Sequence, residues 1–157
     1  MSGRLGEIVG EYGLNIHSLN TIDDKGRILL PIKLREALAD CPLTLTRGVE
    51  ECLWLFPTSE WEKFAQQASA GLSIFDPDSR MIQRRILAPA QEIPVDAAGR
   101  IKLSPSLMQM ARLQKDCYLI GLGTYIEIWD AALYEEYERA TNDRLEDAFK
   151  RAGKKFE

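Results

Sequence analysis

A repeat at an offset of 73 residues constrains this chain more than any other feature. Slid against itself by that distance, residues 21 to 64 align with 94 to 137 without a gap. Eight of 44 positions are identical, where average residue usage predicts roughly 3. Asp23, Gly26, Arg27, Ile28, Leu30, Leu34, Gly48 and Glu62 fall on Asp96, Gly99, Arg100, Ile101, Leu103, Leu107, Gly121 and Glu135. Pairs of like character, Phe56 with Trp129 and Trp61 with Tyr134, extend the register. The chain reads as an internal duplication, so its fold must accommodate one unit twice.

Each copy reads as strand, turn, strand, short helix, hairpin and helix. In the first, "NTI" leads into the "DDKG" turn, where Gly26 supplies a positive φ, and "RILLP" resumes the strand. "IKLREALA" sets Leu34 and Leu38 on one helical face. "LTLTR" and "CLWLF" flank "GVEE" as a hairpin that Pro57 ends. Ser59 and Glu62 have the spacing of a capping box, which predicts a helix starting there.

The second copy places Ser104 and Pro105 as N-cap and first residue of its short helix. "DCYLIGL" and "YIEIW" form a hairpin around Gly123 and Thr124. Asp130 is the expected cap of a helix that contains no proline and should be the longest in the protein, ending in the basic "KRAGKK". Between the copies, Asp76 and Pro77 predict an amphipathic linker helix carrying Met81, Ile82, Arg84, Arg85 and Ile86 before Pro89. The expected divisions are an N-terminal segment (1–20), a first repeat with its helix (21–75), a linker helix (76–90) and a second repeat with a long C-terminal helix (91–157).

A unit of this size leaves unpaired strand edges and an exposed apolar face if it folds alone. Two copies in one chain can interleave. The expected fold class is therefore α+β with a mainly β core, the two "DxxGR" hairpins pairing into one pseudo-symmetric barrel with helices outside it.

Composition excludes several functions. No apolar run approaches the ~18 residues that span a bilayer, and the N-terminus lacks an apolar core after Arg4; a soluble, intracellular protein is expected. Cys41, Cys52 and Cys117 are odd in number and lack C-x-x-C spacing, and His17 is the single histidine. That pattern fits reduced core thiols and argues against a zinc site or any other metal. No nucleotide-binding or nucleophile-elbow motif occurs, and "GLGTY" joins two strands as a hairpin turn. No catalytic residue, cofactor or small-molecule substrate is expected. Asp23 and Asp24 point to opposite sides and only one recurs, as Asp96, so both Asp23 and Asp96 are expected to hold their turns or pair with arginine.

The formal net charge is -4, yet "DKGRILLPIKLR" sets Lys25, Arg27, Lys33 and Arg35 against Asp24 alone, a local balance of +3. A cation at the tip of a two-stranded ribbon is placed to meet phosphates, and such a ribbon can enter a major groove. The alternative is a solvated turn or an Arg27–Asp23 ion pair. Arg80 and Arg84 are either solvated or paired with acids of a neighbouring subunit. Trp54, Phe56, Trp61 and Trp129 belong to the core or to a subunit contact.

The duplicated D-x-x-G-R, "LTRG", "ILAPAQEIPVDAAGRI" and "IGLGTYIEIWD" together resemble the MraZ family of bacterial transcriptional regulators over roughly residues 15 to 145. The resemblance implies tandem AbrB/MazE-like swapped hairpins and a homo-oligomeric ring, octameric or dodecameric. It implies binding to repeated boxes of double-stranded promoter DNA ahead of the division and cell-wall gene cluster, in the cytoplasm at the nucleoid. The family's D-x-x-x-R signature maps onto Asp23 and Arg27 and onto Asp96 and Arg100, and the DNA-facing residues expected are Lys25, Gly26, Arg27, Lys33, Arg35 and Arg100. The second copy departs from this pattern, since Ala98, Ser104 and Met108 stand where Lys25, Pro31 and Arg35 stand in the first. Its turn is expected to be the weaker DNA ligand, leaving Arg100 to structure or assembly. An antitoxin-like regulator engaging a toxin, and a structural ring that ignores DNA, are the alternatives.

Overall fold

The computed structural model describes residues 13–153. The first copy comprises β1 (Ile16–Thr21), β2 (Arg27–Leu29), α1 (Ile32–Ala37), β3 (Leu43–Arg47), β4 (Leu53–Pro57) and α2 (Thr58–Ala70). A linker helix α3 (Pro77–Ile82) runs into a π-helical turn (Gln83–Leu87). The second copy comprises β5 (Gln91–Ile93), β6 (Arg100–Lys102), α4 (Pro105–Met110), β7 (Asp116–Gly121), β8 (Ile126–Asp130) and α5 (Ala131–Thr141). A 3-10 turn (Asn142–Arg144) and α6 (Leu145–Gly153) follow. From β2 to α2, each element of the first copy starts 73 residues before its counterpart.

The two copies are exchanged. Six strands form one sheet in the order β1-β7-β8-β4-β3-β5, so each outer strand pairs with the hairpin of the other copy: β1 on β7 and β5 on β3, both antiparallel. Swapping the copies reproduces the same order reversed, which is a pseudo-twofold about the β4–β8 contact. A separate two-stranded ribbon pairs β2 with β6, and its central pair, Ile28 with Ile101, consists of equivalent residues. The exchange covers both outer edges of each hairpin, β3–β4 and β7–β8, and leaves β1 and β5 at the ends of the sheet.

Strand β4 lacks polar alternation because both its faces are covered. Leu53 and Leu55 belong to the main core, which joins the ribbon's Ile28 and Ile101 to Leu34, Leu45, Leu107, Ile126 and Ile128. Trp54 and Phe56 face a second, aromatic core with Ile120 and Trp129, against which Trp61 and Phe64 of α2 and Tyr134 of α5 pack. The helices thus cover the outer face of the sheet.

Some local expectations stand as read. Gly26 is at φ +77, Ser104 Oγ accepts from Leu107 N at 3.3 Å with Pro105 in the first turn, and Asp130 caps α5 through Leu133 N. Asp76 caps α3 through the N–H groups of Asp78 and Ser79.

Three local expectations need correction. Helix α2 begins at Thr58, not at a Ser59 capping box, because Pro57 holds the N-cap position and Thr58 N is fixed to Pro42 O at 2.8 Å. The proline-free C-terminal stretch is not one long helix. Thr141 Oγ1 donates back to Tyr137 O at 2.8 Å, and Asn142 and Asp143 are poor helix formers, so the path tightens into a 3-10 turn. Among the described residues α2, with 13 residues, is the longest helix. The linker buries Ile86 but leaves Met81 and Ile82 exposed, since the bond from Ala88 N to Gln83 O widens its last turn and rotates the apolar stripe. The expectations on the N-terminus before residue 13, and on the final lysines, lie outside the described residues.

Candidate nucleic-acid interface

Both D-x-x-G-R segments fold into the same turn. Asp23 Oδ1 accepts from the backbone N–H groups of Lys25 and Arg27, each at 2.9 Å, and Oδ2 accepts from Arg27 Nε at 2.8 Å. Asp96 repeats this with Ala98 N, Arg100 N and Arg100 Nε, all at 2.9 Å. Asp23 O takes Gly26 N at 3.0 Å and Asp96 O takes Gly99 N at 2.9 Å, with Gly99 at φ +85. The aspartate is thus the keystone of the turn, and Nε of the arginine is committed to it. Among the described residues, neither Nη atom of Arg27 or Arg100 donates a hydrogen bond within the chain.

The backbone bonds from Arg27 and Arg100 hold both carboxyls below the ordinary carboxylate range, and the arginine side chains add to this. A carboxyl with a depressed folded pKa contributes stability that is complete above its unfolded pKa, ~4, and is lost as pH falls through the folded value. The melting temperature should therefore fall below pH 4 more steeply in the parent than in an Asp23→Asn, Asp96→Asn double variant. Coincident pH profiles in a thermal-melt series would contradict this role.

The two turns are stitched to each other. Gly26 O accepts from Leu103 N at 2.8 Å and Gly99 O from Leu30 N at 3.0 Å, so each turn is held by the strand that follows the other. A Cβ added at Gly99 would lie 2.3 Å from Arg35 Cδ, and one at Gly26 3.4 Å from Met108 Sδ. Arg35 and Met108 are equivalent positions, and each reaches across to the opposite copy's turn. Arg35 therefore lies against the second turn, where it lines a cavity of about 460 Å³ with Asp96, Ala98 and Gly99. Its Nε is buried without a hydrogen-bond partner.

The pairing of β2 with β6 sets Arg27 opposite Lys102 and Leu29 opposite Arg100. With Ile28 and Ile101 buried, alternation turns these four residues to the outer face. Together with Lys25, the ribbon and its tips hold four cations against Asp23, Asp24 and Asp96. Lys102 was missed in the sequence because only the register places it across from Arg27. Lys33, by contrast, spends its Nζ on Asn15 O at 2.7 Å. Arg85 of the linker is also engaged, donating through Nε to Gly48 O at 3.0 Å and through Nη2 to Val49 O at 3.1 Å.

Other reactive groups are occupied elsewhere. Cys41, Cys52 and Cys117 are free thiols, and burial pushes Cys117 up to about 12 and raises Cys52 further. Glu50, Cys52 and Glu127 bring possible ligand atoms within 4.8 Å of one another. Glu127, however, already accepts from Trp54 Nε1 at 3.4 Å and Trp129 Nε1 at 2.9 Å. Its place opposite Trp54 at the β4–β8 crossing makes it a tie between the copies. His17 sits beside the rings of Tyr118 and Tyr134. No helix among the described residues is long and apolar enough to cross a membrane.

The duplicated sequence has known relatives. The family model described as "MraZ protein, putative antitoxin-like" matches twice, over residues 18–85 and 86–156. A protein named "Transcriptional regulator MraZ" from Treponema pallidum (strain Nichols) is 46% identical over 128 residues, 82% of each chain. Its namesake in Treponema denticola is 43% identical over 146 residues, covering 93% of this chain and 97% of its own. The one in Mesoplasma florum is 35% identical over 136 residues, covering 87% and 90%. The two matched stretches meet at residue 86, within the π-helical turn that joins the copies, and with identities of this size over most of both chains the chain belongs to the MraZ family.

Proposed function

We propose that this chain is a sequence-specific DNA-binding transcriptional regulator that acts on repeated boxes in the promoter of its own operon and of the division and cell-wall gene cluster. It works in the cytoplasm, at the nucleoid, as a ring-shaped homo-oligomer, octameric or dodecameric. The name shared by its relatives supports the regulatory role. The observation that carries the DNA reading is the β2–β6 ribbon, whose outer face offers Arg27, Arg100 and Lys102 with Lys25 at one tip. A two-stranded ribbon fits the major groove, and free Nη atoms suit phosphate oxygens or the O6 and N7 acceptors of guanine. A ring would offer several such ribbons to successive boxes, so that modest contacts add through effective concentration.

Fluorescence anisotropy with duplex DNA from upstream of the gene, against a scrambled duplex and over a salt series, tests this. The promoter duplex should bind more tightly, with log K falling linearly in log salt. Lys25→Ala and Lys102→Ala remove exposed side chains that hold no turn together, so both should weaken binding while the melting temperature stays unchanged. Equal affinity for both duplexes, or indifference to both substitutions at matched salt, would refute the reading.

A further inference from the structure

The offset of 73 residues also relates two surface grooves that differ in how well they are filled. One borders α2 and includes Phe56, Lys63, Phe64 and Tyr125; the other borders α5 and includes Trp129, Leu133, Glu136 and Tyr137. Phe56 and Phe64 are the equivalents of Trp129 and Tyr137. In the first groove Phe64 and Tyr125 stack on Phe56, with centroids 5.5 and 5.2 Å away. In the second, the position equivalent to Tyr125 is Cys52, which is far too small to reach across. Tyr137 is left 41% exposed beside a cavity of about 410 Å³. The rim is acidic, with Glu50, Glu51 and Glu136, against Arg112, which pairs with Glu51 at 3.0 Å.

The linker carries a surface of complementary character. Phe75 is 87% exposed, Ile74 68% and Met81 58%, and Arg80 and Arg84 lie beside them in the sequence. These side chains do not hang on a loose loop. Ser73 Oγ accepts from Phe75 N at 3.2 Å, Ser79 Oγ donates to Asp76 Oδ2 at 2.9 Å, and Arg80 Nη1 donates to Ile74 O at 2.8 Å. The local acids are Asp76, whose oxygens cap α3, and Asp78. Apolar side chains presented to water on a hydrogen-bonded backbone are the mark of a contact surface, since the backbone ordering that binding requires is already done.

We propose that Ile74, Phe75 and Met81 of one copy dock head to tail into the Trp129–Leu133–Tyr137 groove of a second copy, with Arg84 facing Glu136. The proposal rests on the oligomeric reading above and names its contact. Apolar character and charge both favour this partner: the donor patch is apolar with Arg84 exposed beside it, and the acceptor groove is apolar with glutamates at its rim. A patch and a groove that differ make a heterologous contact, which can propagate into a closed ring.

Light scattering coupled to size exclusion, on the full chain over a concentration series, tests it. Phe75→Asp should raise the apparent dissociation constant for assembly on the order of 100-fold while the far-UV circular dichroism stays that of the parent, because Phe75 is exposed in the monomer. Arg84→Glu should also weaken assembly, and adding Glu136→Arg should restore it. A Phe75→Asp protein with the parent's mass, or failure of the charge swap to rescue, overturns the proposed contact alone. A parent chain that is monomeric throughout overturns the oligomeric reading itself.

Discussion

Gly121→Ala should be the most destabilising single-methyl substitution in the sheet. A Cβ at this position would lie 1.4 Å from the carbonyl oxygen of Leu14. The obstacle is backbone, held by Leu14 N donating to Gly123 O at 3.0 Å and by the β1–β7 pairing that starts at Ile16 and Gly121. The methyl cannot be accommodated by turning a side chain; β1 must move away. Because β1 is the strand that ties the first copy to the hairpin of the second, the expected cost is about 4 kcal/mol or more, the range reserved for disrupted cores and strained backbones. At the equivalent Gly48→Ala the nearest obstacles are side-chain atoms, Trp54 Nε1 at 2.6 Å and Cys52 Sγ at 2.7 Å, and the substitution should cost less. Urea denaturation of both variants measures the difference. A Gly121→Ala midpoint within about 0.5 M of the parent, or one above that of Gly48→Ala, would contradict this account of the exchange.

Arg35→Met should weaken DNA binding about as much as Lys25→Ala, although the two residues sit in the same copy. Lys25 belongs to the first turn, whereas Arg35 packs across Gly99 of the second. The second turn, with alanines at 97 and 98, thereby regains a cation from the other copy. Each turn then has two, Lys25 with Arg27 and Arg35 with Arg100. Each lost phosphate contact lowers the slope of log K against log salt by ~0.9, so the double variant should lose about twice what either single variant loses. Methionine is the residue that already fills the equivalent place over Gly26, so the substitution keeps the packing. Met108→Arg tests the reverse, adding a cation over the first turn and steepening the slope. If Arg35→Met binds as the parent does while Lys25→Ala is impaired, the second turn is the weaker ligand that its own residues suggest.

Much of the fold was legible because the sequence states it twice. Gly26 and Gly99 mark turns that need positive φ, Ser104, Asp76 and Asp130 mark helix starts, and a lone copy could not cover its own strand edges. What was misread has local physical causes. The Ser59 and Glu62 spacing is sound as a pattern, but Pro57 and the bond from Thr58 N to Pro42 O start α2 one residue earlier. The absence of proline after Asp130 does not secure a continuous helix, because Thr141 turns its hydroxyl back onto Tyr137 O. Arg85 was legible only as part of the linker helix, yet its guanidinium binds carbonyls of the β3–β4 turn, which no spacing rule could indicate.

The duplication, the two aspartate-anchored turns with their arginines, and the need for the copies to interleave are readable along the chain, because each depends on near neighbours in it. Which copy serves which turn is set by the fold. Strand exchange brings Arg35 to Gly99, Lys102 opposite Arg27 and Cys52 to the place that Tyr125 fills in the other groove. The first two are contacts across 64 and 75 residues of chain, and Cys52 lies 77 residues from Trp129 of its groove. They are fixed by antiparallel register and by burial of Ile28 and Ile101 against each other, which local spacing does not encode.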